Sequence, residues 1–194
     1  ASVVPSQNTS QLPDLSRLTG LQDATMSGWF NSGTGELVPG FTIESNDVVV
    51  DVGCGAGGAS MFCAKQGASV RFIDLDAQKV AEAKRRLDQV SSGEHIGIVS
   101  DSALLPLQDD LASKIIAMEM LEHVHDPVAV MKELVRIGRP GAMYLISVPD
   151  AKGELLQKKI ADPAHFEEPN HVQIFTSVEL EQLVVESGLI VEHR

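Results

Sequence analysis

The sequence predicts an α/β fold, a doubly wound and mainly parallel sheet with helices on both faces. Three observations predict it. Short apolar runs alternate with segments of helical period between residues 46 and 148, and such alternation implies parallel strands joined by right-handed crossovers. Val48-Val49-Val50 is a continuous apolar run, the pattern of a strand buried on both faces. A glycine-rich loop, Gly53 to Gly58, follows that run and opens a helical segment, and ligands of such sheets sit outside the carboxyl ends of the strands.

The elements follow in order. Residues 1–25 are rich in Ser, Gln, Pro and Thr without a period and read as a flexible lead-in to a domain over 26–194. After the first strand and its loop, a short helix runs from Ala59 to Gln66 and closes at Gly67. Ser69 to Ile73 is a second strand. Ala77 to Val90 places Val80, Ala83, Leu87 and Val90 on one helix face. Ile96 to Val99 and Lys114 to Met118 are the third and fourth strands. Asp126-Pro127 starts a helix whose apolar stripe is Val130, Met131, Leu134 and Val135. Gly138 ends it, and Pro140-Gly141 turns the chain into a fifth strand, Met143 to Val148. Lys152 to Ile160 forms an amphipathic helix, and 165–171 is polar loop. Thr176 with Glu179 makes a capping box for a last helix carrying Leu180, Leu183 and Val184, closed by Gly188. Leu189 to Val191 reads as a sixth strand with nothing after it, so the sheet is expected to lack its last strand and the domain to be trimmed at its carboxyl end.

Composition narrows the function. A 194-residue chain with 43% hydrophobic and 22% charged residues is one ordinary folded domain rather than a disordered segment. No apolar run reaches the ~20 residues needed to span a bilayer. Lys and Arg number 15 against 27 Asp and Glu, a net charge of −12, which repels phosphate backbones and disfavours nucleic acid as a partner. Two cysteines, Cys54 and Cys63, make no disulfide framework and suit a reducing, cytoplasmic compartment.

The loop Asp51-Val52-Gly53-Cys54-Gly55-Ala56-Gly57-Gly58 satisfies the Gly-x-Gly-x-x-Gly spacing of dinucleotide sites. Asp74, at the end of the second strand, is the expected ribose partner for a dinucleotide or an adenosyl ligand. Asp51 discriminates between them. A carboxylate two residues before the first glycine does not suit a pyrophosphate. It suits a ligand bearing an ammonium and a sulfonium, and S-adenosylmethionine carries both. Cys54, inside the loop with no histidine at a useful place nearby, lines the pocket rather than serving as a nucleophile.

The segment Val48 to Gly58 resembles the first motif of class I S-adenosylmethionine-dependent methyltransferases. Val70 to Asp76 is similar to the family's second strand and ribose carboxylate, and Ser100-Asp101-Ser102 with Leu105-Pro106-Leu107 to its loop after strand three. Met118 to Val124 resembles the segment after strand four, and Arg136, Pro140 and Gly141 the approach to strand five. The resemblance runs to Val191 and is nearest to the small-molecule branch of ubiquinone and menaquinone biosynthesis. It implies the Rossmann-like methyltransferase fold. It also implies that Asp51, Gly53, Cys54 and Gly55 line the methionine and ribose side, that Asp74 accepts from the ribose hydroxyls and that Leu75 packs the adenine. Asp101 would accept from the adenine amino group, with Ser102 beside it and Met118 at the pocket. Ser113-Lys114 departs from the Phe-Asp common at that point of the family.

For the acceptor side, Glu119, Glu122, His123, His165 and His171 are the candidate acid–base groups, of which Glu119, His123 and His171 are the catalytic choice. The Glu119-x-x-Glu122-His123 spacing resembles the metal-binding motif of small-RNA 2′-O-methyltransferases and some ubiquinone O-methyltransferases. With His171 it implies a site for one divalent cation such as Mg²⁺; a local structural or acid–base role is the competing reading. Met26, Trp29 and Phe30 either lid the cofactor or staple the sheet, and Leu155, Leu156, Ile160 and Phe166 either cover the acceptor or join the core. The reading is methyl transfer to a small molecule, at oxygen. The alternatives are a metal-dependent RNA 2′-O-methyltransferase, an NAD-dependent oxidoreductase and a noncatalytic adenosyl-binding module.

Overall fold

The computed structural model describes residues 29–157 and 172–192. The lead-in over 1–25, Met26, Ile160 and the polar loop over 165–171, with His165, Phe166 and His171, lie outside them. Among the described residues seven strands form: β1 (Glu36–Val38), β2 (Phe41–Thr42), β3 (Val48–Val52), β4 (Ser69–Asp74), β5 (His95–Val99), β6 (Ala112–Met118) and β7 (Gly138–Ser147). The described helices are α1 (Gly58–Lys65), α2 (Ala77–Val90), α3 (Pro127–Ile137), α4 (Ala151–Gln157) and α5 (Ser177–Glu186), with a 3₁₀ turn at Leu121–His123. None of the described helices is long and apolar enough to cross a membrane.

The main sheet has the order β5-β4-β3-β6-β7, and every neighbouring pair is parallel. Alternation along each strand sends side chains to two cores. Val49, Val70, Phe72 and Ile116 meet Phe62, Cys63 and Ala64 of α1 and Val80, Ala83 and Leu87 of α2. Val50, Val52, Ile73, Ile115 and Ala117 face Val130, Met131, Leu134 and Ile137 of α3 and Leu183 of α5. This is the doubly wound architecture expected from the alternation of elements. Asp76 caps α2 by accepting from Gln78 N at 2.8 Å, and the Thr176–Glu179 capping box forms in both directions.

Four features differ from expectation. The hairpin β1-β2 turns at Pro39-Gly40, where Gly40 has φ +85°, and delivers Leu37, Phe41 and Ile43 to the first core. β7 begins at Gly138 rather than Met143: Ala112 pairs with Gly138 and Lys114 with Met143, so Arg139–Ala142 bulge out around Gly141 at φ +80°. The amphipathic helix starts one residue earlier, at Ala151, and Leu155 and Leu156 stay exposed rather than joining the core. Finally, Leu189 to Val191 is not a strand. Gly188, at φ +90°, closes α5 with Gly188 N donating to Val185 O and Leu189 N to Val184 O, the paired bonds of a Schellman cap. Leu189 then packs on the second core while Ile190 is 88% exposed. Strand propensity needs a partner to pair with, and the open edge of β7 meets none among the described residues.

Candidate functional site

The chain leaves β3 toward β4 and β5 and returns to β6 on the other side. The crevice opened by that reversal lies at the carboxyl ends of β3 and β6, and the sequence-predicted cofactor residues gather around that end of the sheet. The glycine loop folds back over β4: the amides of Gly53 and Cys54 both donate to Ile73 O, at 2.8 and 2.9 Å. Gly53 has φ +73°, and a Cβ there would stand 2.7 Å from Met120 Cβ, so the loop touches the turn after β6 through bare backbone. Gly55, at φ +52°, is the opposite case; a Cβ would meet nothing within 4 Å. Its amide donates to Asp74 Oδ2 at 2.9 Å, while Asp74 Oδ1 accepts from Asp76 N at 3.0 Å. Arg86 of α2 ties the far side of the loop, donating to Ala56 O at 2.7 Å.

Asp51 lies beneath this loop on the α1 face of β3, only 3% exposed. Its Oδ2 accepts from Ser60 Oγ on α1 at 2.5 Å. Burial pushes its carboxyl up from 3.8 to about 6, against the opposing effect of the Ser60 hydrogen bonds, with a smaller upward push from the Asp74 charge. The ionised form of Asp51 therefore gains most from a cation placed beside it. Cys54 is buried, and that burial, with the charges of Asp51 and Asp74, pushes its thiol up; a protonated thiol fits a pocket-lining residue and not a nucleophile.

Leu75, just past β4, is 74% exposed, an apolar surface at the place where an adenine face is expected. Asp101 follows β5 and is exposed; its Oδ1 accepts from Ala103 N at 2.8 Å, and Ser102 beside it is half-buried. Met118, at the end of β6, packs against the first core. Phe30 meets Phe62 edge-on at 5.8 Å between ring centroids, so it staples the hairpin side to α1; Trp29 is half-buried.

After β6 the candidate acceptor residues take separate directions. Glu119 has φ +51°, left-handed for a non-glycine residue, and its Oε1 accepts from Ser147 Oγ on β7 at 2.7 Å. Glu122 is 1% exposed, whereas His123 is exposed, with its Nε2 3.9 Å from Glu122 Oε1. Among the described residues no three His, Cys, Asp or Glu side chains gather as a metal site. Just past position 171, Val172 N and Gln173 N both donate to Glu122 O, at 2.9 and 3.1 Å, which brings the chain back to this turn.

Three residues of the site escaped the sequence reading. Ser60 holds Asp51, Met120 fills the space that Gly53 leaves, and Ser147 holds Glu119. The only local signal was for Ser60, a small hydroxyl in the first turn of the helix that the glycine loop opens.

The residues present fit an adenosyl amino-acid ligand. The loop offers an open face at Gly55, the buried Asp51 carboxylate suits an ammonium, and Asp74 and the exposed Leu75 suit the ribose and base.

Comparison with known proteins agrees. The sequence model of a family described as "methyltransferase domain" matches residues 33–194. Ubiquinone biosynthesis O-methyltransferase from Klebsiella pneumoniae is 34% identical over 111 residues, 55% of this chain and 44% of that protein. The corresponding enzyme from Aeromonas salmonicida is 29% identical over 162 residues, 74% of this chain and 63% of that protein. The matches thus span about half the length of these curated relatives. Among solved structures, an S-adenosylmethionine-dependent methyltransferase from Aquifex aeolicus superposes with a TM-score of 0.67 at 20% identity, covering 93% of this chain and 90% of that one. Geranyl diphosphate C-methyltransferase from Streptomyces coelicolor gives 0.66 at 18% identity, covering 93% and 64%; at these identities the likeness shows the fold. The chain belongs to the class I S-adenosylmethionine-dependent methyltransferase family.

Proposed function

We propose that this chain binds S-adenosylmethionine at the carboxyl ends of β3, β4 and β5 and transfers its methyl group to the hydroxyl oxygen of a small molecule. The observation that carries the reading is the buried Asp51 carboxylate under an open glycine loop. When bound, the cofactor supplies a methyl carbon already activated by its sulfonium. Asp51 would hold the ammonium, Asp74 the ribose hydroxyls, Leu75 one face of the adenine and Asp101 its amino group. Cys54 and Met118 would line the pocket without reacting.

The acceptor oxygen forms the new bond to carbon as the carbon–sulfur bond breaks, and its proton must leave. Alignment supplies most of the rate in such a displacement, and a carboxylate or imidazole within reach of the hydroxyl takes the proton. Glu119, held at the end of β6 by Ser147, is the base this reading assigns first; His123 and His171 are the further candidates. Preference for oxygen and for a small acceptor rests on the named ubiquinone O-methyltransferase relatives, and the net charge of −12 favours a small molecule over RNA.

The test is incubation with methyl-labelled S-adenosylmethionine and a panel of catechols, stabilised carbon acids and short RNA oligonucleotides. Label in an O-methyl ether of a catechol, lost in Glu119→Gln, is the expected result. Label in RNA, or only at carbon, overturns the assignment.

A further inference from the structure

We propose that Arg136 and Glu133 of α3 are positioning residues for adenine recognition, gripping the loop between β5 and β6 so that Asp101 is presented in one fixed place. The inference rests on the proposed role of Asp101.

That loop, residues 100–111, has two parts. Residues 100–104 form a turn bonded within itself: Ala103 N donates to Asp101 Oδ1 at 2.8 Å, Leu104 N to Asp101 O at 3.3 Å, and Ser100 Oγ to Leu104 O at 3.0 Å. None of these bonds anchors the turn to a helix. At its start, Ser100 N donates to Asp74 O at 3.2 Å and ties the turn to β4; the anchor of its far end is the next residue. Leu105 is buried, its amide donates to Glu133 Oε2 at 2.8 Å, and its carbonyl accepts from Arg136 Nη2 at 2.9 Å.

Arg136 completes the grip. Nη1 donates to Leu107 O and to Asp109 Oδ1, both at 2.7 Å. Nε donates to Glu133 Oε1 and Nη2 to Glu133 Oε2, both at 2.8 Å. All five guanidinium N–H donors are thereby engaged, and Arg136 O accepts from Asp110 N at 3.1 Å. The paired carboxylate keeps the planar fork in register. A lysine cannot reproduce this, because its three donors radiate from one nitrogen and do not form a flat fork. The far end of the turn is thus held from α3, a helix that contributes no proposed ligand contact, while β4 holds its start. It acts on backbone within a few residues of the carboxylate that reads the base.

A purely structural clamp would lower stability and weaken all ligands alike. A positioning clamp changes which base is preferred. The measurement is therefore a ratio: the Kd of S-inosylhomocysteine, which has a 6-oxo group for the adenine amino group, over the Kd of S-adenosylhomocysteine. A hydrogen bond to a charged acceptor corresponds to roughly tenfold or more in the wild-type ratio. Asp101→Asn is expected to bring that ratio toward one. Arg136→Ala is expected to lower it severalfold, and Arg136→Lys to leave it between those of wild type and Arg136→Ala. If Arg136→Ala does not fold, Arg136→Lys and Glu133→Gln carry the same test. A wild-type ratio near one, or an unchanged ratio in Asp101→Asn, removes the reading of Asp101 and the proposal with it. A ratio lost in Asp101→Asn but kept in the Arg136 variants overturns the proposal alone.

Discussion

Substituting Asp51 with Asn is expected to make the ligand-free protein more stable relative to wild type as pH rises. Asp51 is folded into a site where its carboxyl titrates near 6 against an ordinary 3.8. A group raised in the folded state favours folding below its unfolded value, and that contribution is lost as pH climbs through the folded value. Wild type should therefore lose stability between about pH 4 and pH 7.5, by about 2–3 kcal/mol from this group alone. Asn carries no titrating proton, so the variant escapes that loss. The fixed cost of seating a carboxamide beside Ser60 is the same at both pH values and cancels in the comparison. For a chain of this size the change corresponds to about 5–10 °C in the difference between the two melting temperatures. Thermal unfolding of both proteins without ligand, at the two pH values, is the assay. A difference independent of pH would show that the Asp51 charge is not held at a cost, and would remove the physical reason for assigning it to a cationic ligand.

The same titration sets ligand affinity. If only ionised Asp51 holds the ammonium, S-adenosylhomocysteine should bind about tenfold more weakly at pH 5 than at pH 7, and calorimetry should show no such loss in Asp51→Asn, whose affinity is low throughout. Gly53→Ala places a Cβ 2.7 Å from Met120 Cβ at φ +73°; a loss of roughly 2 kcal/mol or more in chemical denaturation, together with loss of ligand binding, is expected. Thr176→Ala removes the cap of α5 and should cost about 1 kcal/mol of stability while leaving ligand affinity unchanged. If Glu119, Glu122, His123 and His171 hold one divalent cation on the acceptor side, exhaustive chelation should abolish methyl transfer while leaving S-adenosylhomocysteine affinity within about twofold; transfer that survives chelation in metal-free protein would remove the metal reading.

Local patterns carried most of the fold. The β-branched runs of β3 and β4, the helical period of α2 and the Thr176–Glu179 box each depend on residues close in sequence, so their chemistry is visible before folding. Leu189 to Val191 misled because a β-branched run states a propensity and not a partner, and the glycine at 188 had already committed those residues to closing α5. The hairpin at Pro39-Gly40 carried a turn signal, but its strands are too short for alternation to register. At the site, glycines and aspartates were legible by spacing. Their supports were not: Ser147 reaches Glu119 across 28 positions, and Arg136 reaches Leu107 across 29. Such contacts exist only once the sheet has brought the carboxyl ends of its strands together.

Titration calorimetry with S-adenosylhomocysteine, and NAD⁺ as the control ligand, tests the central claim most directly. The proposed function predicts binding of S-adenosylhomocysteine at neutral pH, loss of that binding in Asp51→Asn and no heat with NAD⁺. Binding of NAD⁺, or S-adenosylhomocysteine binding that is indifferent to Asp51, would contradict it.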